Sequence, residues 1–323
     1  MARWIELGSA KPRAAVGPSA QLHVAAQWLG RLGRAFAPAQ QDDSHTSFAW
    51  RRDLQAFRTD AAPSPMAGRS GAAAALGSNP AEAEESDGDG GLSPAAPSPD
   101  KATLSLGLRP ADLKLLAFRD DELTDEFALH GRDDGEARVW LGELLGGSGF
   151  DLAKYDAEQP YQMPAGPFED GEIYDALSSA AALNEMARLF DNAEFVLGRL
   201  QRANAYLKPG PSAVRAWPHH FDMGLLTTIE DAPFEHARAI GAGLAIPDSL
   251  YGEYYFYTYP WPRHKRKGVK SPKSAGKLQK KGFFGAVLTM SDLLKTRDQQ
   301  DMVEAFFEET TATWLNILRD EMS

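Results

Sequence analysis

Residues 213–230 read Ala213-Val214-Arg215-Ala216-Trp217-Pro218-His219-His220-Phe221-Asp222-Met223-Gly224-Leu225-Leu226-Thr227-Thr228-Ile229-Glu230. Here titratable groups crowd against aromatic and apolar ones, and the stretch reads as a central strand. Period-two splitting puts Arg215, Trp217, His219, Phe221, Met223, Leu225 and Ile229 on one face. Val214, Ala216, Pro218, His220, Asp222, Gly224 and Leu226 fall on the other. The first face is core-like, so His219 is expected to be packed with one nitrogen satisfied. His220 and Asp222 are expected together, beside small residues that leave space.

Three roles are open to that pair. They are structural hydrogen bonding, contact with a ligand, or metal ligation by His220 and Asp222 with a third group. A regular strand cannot aim adjacent His219 and His220 at one ion, which makes His-His a weak metal motif unless Pro218 causes a bulge. A further strand, Glu253 to Tyr259, sorts Glu253, Tyr255, Tyr257 and Tyr259 onto one face. A carboxylate above a tyrosine ladder suits a flat or sugar-like ligand, and ordinary cross-strand aromatic pairing is the plainer explanation. Asp248 or Glu253 is the expected carboxylate partner of His220 if the strands are neighbours.

Working outward, Leu22, Ala25, Ala26, Leu29, Leu32 and Phe36 recur at helical spacing, and Pro38 stops that helix. Residues 1–19 show no period and read as a loose arm. Asp42 to Ser47 form a turn with His45, feeding a strand to about Phe57. Residues 60–101 are rich in Ala, Gly, Ser and Pro with Glu82, Glu84, Glu85, Asp87 and Asp89. Such a segment buries too little to offset its ordering entropy and is expected to be a disordered acidic insertion. Thr103 to Phe118 gives two short strands or a bulged one around Pro110, and Glu126 to His130 gives a third strand. Glu136 to Leu145 is a short helix closed by Gly146-Gly147.

Residues 148–175 form a Pro- and aromatic-rich connection. Asp175 caps a long helix to about Leu207. Strands follow at His236 to Ile246, Glu253 to Tyr259 and Phe283 to Met290, then a helix from Asp298 to Leu318. The fold class is α+β. Each half, 20–147 and 176–323, reads helix, strands, helix, and a polar turn with a histidine (His45, then His219 and His220) opens the first strand of each. That order suggests an internal duplication, with two sheets that join or face each other around a cleft. One irregular α+β domain is the plainer alternative.

Composition narrows the classes. The 323 residues are 43% hydrophobic, enough for a sizeable core, and the formal net charge is -11 with a pI of about 5.2. That balance argues against wholesale nucleic-acid binding. The absence of cysteine excludes disulfides, thiol nucleophiles and thiolate zinc sites and points to a reducing compartment. No signal peptide or membrane span is read, so a cytoplasmic protein without a membrane partner is expected. No phosphate-binding Gly-Lys-Ser/Thr loop, Gly-x-Ser-x-Gly elbow or His-Glu-x-x-His helix occurs.

One segment runs against the acidic background. Residues 263–281, from Arg263 to Lys281, hold nine Lys or Arg and no acid, leaving about -20 on the rest of the chain. The segment suits phosphate, a polyanion or an acidic partner; a solvated hairpin loop is the plain reading. No aromatic residue interleaves it, so base stacking gains no support there.

Trp217-Pro218-His219-His220-Phe221-Asp222, with Asp43-Ser44-His45-Thr46 and Gly282-Phe283-Phe284-Gly285-Ala286-Val287-Leu288, resembles a group of uncharacterised bacterial proteins. That group has no established activity, so the resemblance transfers no catalytic residue. The sequence therefore leads to a protein that binds a small molecule near residues 213–230, through His45, His220, Tyr255 and Tyr257. The alternatives are a hydrolase using His220, Asp222 and Glu253, metal-assisted or not, and an interaction protein acting through the basic loop. The cofactor stays open.

Overall fold

The strands form one thirteen-stranded antiparallel sheet in a computed structural model that describes residues 3–65, 103–163, 168, 171–233 and 236–321. The first half supplies β1 (Phe48–Arg51), β2 (Ala56–Thr59), β3 (Ala62–Pro63), β4 (Thr103–Arg109), β5 (Lys114–Arg119) and β6 (Glu122–Ala128). The second supplies β7 (Gly210–Pro211), β8 (Arg215–Trp217), β9 (Asp222–Thr228), β10 (Ala239–Ala245), β11 (Tyr255–Trp261), β12 (Lys277–Gln279) and β13 (Gly285–Thr289). Their order along the sheet is β12-β13-β11-β10-β9-β8-β1-β2-β4-β5-β6, with β3 on β4 and β7 on β9. The halves therefore join edge to edge. The seam is β1 against β8, with Phe48 opposite Ala216.

The helices are α1 (Val16–Phe36), α2 (Asp134–Gly147), α3 (Leu152–Tyr155), α4 (Ala180–Ala203), α5 (Met290–Leu293) and α6 (Gln299–Asp320). On α4, Leu183, Met186, Phe190 and Leu197 recur at helical spacing and are buried with α1 and α6 residues in one core. Strand alternation completes it. Phe256 packs against Phe307 at 5.7 Å, and Thr258 Oγ1 accepts from Trp314 Nε1 at 2.9 Å. The opposite sheet face carries two small clusters, Ala56 with Leu116 and Phe118, and Ala245 with Tyr255 and Val287.

Two glycines on α1 let other chain segments touch the helix. A Cβ on Gly33 would lie 1.9 Å from the His45 carbonyl oxygen, and one on Gly30 would lie 2.6 Å from the Pro218 ring. The turn before β1 and the β8–β9 turn therefore rest on the same helix.

Several expectations need correction. Helix α1 begins at Val16, ahead of the expected Gln21, and the segment read as a loose arm is tied down. Ile5 N–H donates to Asn192 at 2.8 Å and Leu7 N–H to Gln299 at 2.9 Å. The strand expected to run to Phe57 is a hairpin turning at residues 52–55. Helix α4 starts at Ala180, and Asp175 instead accepts from the Ser178 amide in the preceding turn at 3.0 Å. The single strand over 213–230 is also a hairpin. Residues 218–221 turn between β8 and β9, so a period-two split across them fails. Of the expected 60–101 insertion, residues 66–101 lie outside the described residues. No helix among the described residues is long and apolar enough to cross a membrane.

Candidate functional site

The β8–β9 turn is held by its backbone. The Pro218 carbonyl accepts from Gln27 Nε2 at 2.7 Å and bonds His23 Nε2 at 2.9 Å. Phe221 takes a left-handed φ of 49° and is buried, its ring stacked on His23 at 6.0 Å. Burial pushes the His23 imidazole down to about 4. Sequence reading passed over His23 because it sits inside an amphipathic helix pattern.

The turn histidines do not assemble the expected pair. His219 is half-buried, not core, with its ring 5.8 Å from Tyr161 and 4.4 Å from His220. Burial, then the neighbouring His220, lowers its pKa. His220 is exposed. Asp222 accepts the Tyr257 hydroxyl at 2.6 Å, and Asp248 accepts the Tyr255 hydroxyl at 2.7 Å. Glu253 accepts the Ser291 amide at 2.6 Å at the start of α5. His45 Nδ1 accepts the Gln40 amide at 3.1 Å. The candidate residues thus fall into separate structural contacts. Among the described residues no three His, Asp or Glu side chains group as a metal centre.

The tyrosine ladder forms on the predicted face. Tyr257 and Tyr259 stack at 5.9 Å and lie flat over Gly243 and Gly241 of β10. Burial, then the Asp222 charge, pushes the Tyr257 hydroxyl well above its ordinary pKa, so it stays a donor. Arg263 caps the ladder 3.9 Å above Tyr259.

The basic loop is an ordered strap. Arg266 grips Glu321 with two bonds of 2.7 and 3.0 Å. Glu309 on α6 accepts the Lys273 amide at 2.8 Å and the Ser274 amide at 2.7 Å, and the Ser274 hydroxyl, then these amides, hold its carboxyl below the usual range. Strand β12 pairs with β13. Between strap and helix lies a cavity of about 420 Å³, bordered by Lys267, Lys270 and Lys273 above and by Trp314, Ile317 and Ala286 below. No acid forms an ion pair with these three lysines among the described residues. Sequence reading flagged the lysines but missed Glu309, Trp314 and Ile317. Their one-face spacing on the last helix was available as a signal, yet it reads equally as ordinary core.

Comparison with known proteins finds nothing: no family model, no curated protein and no solved structure matches the chain.

Proposed function

We propose that this is a binding protein for a small anionic molecule, held in the cavity between the strap 263–281 and α6. One observation carries the reading. Three exposed lysines, none in a salt bridge among the described residues, border a cavity of about 420 Å³ in a chain whose formal net charge is -11. Cavities of roughly 300–1,000 Å³ are the usual size for small ligands. The strap is pre-formed, since Arg266 fixes its start, Glu309 its middle at Lys273 and Ser274, and the pairing of β12 with β13 its far end, so little ordering opposes binding. The expected cleft near His220, Asp222 and Glu253 has less support, because those acids are engaged elsewhere. The hydrolase alternative weakens for the same reason.

Calorimetric titration with small anions at low salt tests the proposal. Binding is expected to weaken at least tenfold in a Lys267→Ala, Lys270→Ala, Lys273→Ala triple variant and to fade with rising salt. Unchanged binding in that variant sinks it.

The duplication is proposed on topology. Each half runs helix, antiparallel strands, helix, although β12 returns outside β13 in the second half, and β1 of one half meets β8 of the other at the seam. A circular permutant that starts at residue 176 and runs on into residue 3 is expected to fold; an unfolded product opposes the idea.

A further inference from the structure

Resting on the anion-site reading above, we infer that the ligand is an amphipathic anion, charged at one end and apolar along the rest. The argument comes from the lower wall of the cavity. Trp314 and Ala286 are each only 1% exposed yet border it, so the cavity reaches down to core side chains. The donors in that wall are already used inside the protein. Trp314 Nε1 donates to Thr258 Oγ1 at 2.9 Å, Thr310 Oγ1 to the Phe306 carbonyl at 2.6 Å and Thr313 Oγ1 to the Glu309 carbonyl at 2.8 Å. Apart from the lysines, Glu309 and the Ser271 hydroxyl, which accepts the Leu278 amide at 3.1 Å, the remaining side chains lining both walls are apolar: Val269, Pro272, Leu278, Ala286, Trp314 and Ile317.

A sugar or nucleotide seated against that wall would leave its own polar groups unpaired, which is costly in a desolvated place. A ligand charged at one end and apolar for the rest meets both halves of the lining. Among the described residues the one acid at the border, Glu309, points both carboxylate oxygens at the strap amides of Lys273 and Ser274. It keeps its negative charge, and the three lysines outnumber it, so the described lining stays net positive toward a headgroup.

The test is calorimetry on the intact chain, below micellar concentrations, with butyrate, octanoate, decanoate, inorganic phosphate, a Glu-rich peptide and decyltrimethylammonium. Affinity is expected to rise from butyrate to decanoate, by up to about fourfold per added methylene. Decyltrimethylammonium is expected not to bind. Ile317→Gln or, on the strap, Val269→Asn is expected to erase the chain-length gain while butyrate and phosphate binding persist. If anions bind with no chain-length gain, or the peptide outcompetes decanoate, this inference falls and the anion site stands. If no anion binds, both fall.

Discussion

The Tyr257 hydroxyl donates to Asp222 Oδ2 at 2.6 Å, reaching from β11 to β9 across Gly243 of β10. Glycine is required on the way, because a Cβ on Gly243 would lie 2.5 Å from both the Met223 carbonyl oxygen and Tyr257 Oη. Tyr257→Phe is expected to cost about 1 kcal/mol, since half-buried Asp222 can still take water. Gly243→Ala is expected to cost more, about 2–3 kcal/mol, because the Met223 backbone cannot move aside. Urea unfolding of both variants checks the order; a milder Gly243→Ala contradicts it.

Acidification should act through the β8–β9 turn before the carboxylates titrate. His23 titrates at about 4 in the folded chain against 6.5 unfolded, so the unfolded state takes the proton first. Stability is full above pH 6.5 and declines as pH falls toward 4, by on the order of 3 kcal/mol at most. His219 is shifted in the same direction and adds to the slope. Urea midpoints measured across this window are expected to fall in the native chain and to change less in His23→Gln. An equal slope in both would refute the assignment.

The contact between α1 and the turn before β1 leaves no room for a methyl group. Gly33→Ala places a Cβ 1.9 Å from the His45 carbonyl and is expected to cost about 3 kcal/mol. Gly142→Ala on α2 meets nothing within 4 Å and is expected to stabilise by about 0.5–1 kcal/mol through helix propensity. Thermal unfolding of the two single variants should therefore move in opposite directions.

Asp191 on α4 is 2% exposed and gathers three donors from the β1–β2 hairpin. Trp50 Nε1 and Gln55 Nε2 donate to it at 3.0 Å each, and Arg52 forms a salt bridge with it. Asp191→Ala is expected to cost about 3 kcal/mol, the low end for a broken buried pair because Arg52 keeps some solvent. A loss under about 1 kcal/mol in chemical denaturation would show that the hairpin does not depend on this carboxylate.

Much of the sheet was legible, and the reason is visible at β11. Tyr255, Tyr257 and Tyr259 alternate with Phe256 and Thr258, so period two alone separates the ladder from the core. The turn at 218–221 was not legible. Pro218-His219-His220-Phe221 lacks the glycine or asparagine that usually marks a left-handed position. Phe221 adopts one because its ring is buried against His23, and no local propensity contains that term. The cavity was hidden for a related reason. Lys267 and Trp314 border one space only because Glu309 and Glu321 draw the strap onto α6.

The seam at β1 and β8 has a consequence beyond architecture. Each half ends there in a strand whose one other neighbour among the described residues belongs to its own half, so parting the two leaves a bare row of amides and carbonyls on both pieces. A chain caught with its seam open is two unfinished edges on one tether. At high concentration such chains can complete one another, exchanging halves to give swapped dimers built from the same β1–β8 pairing.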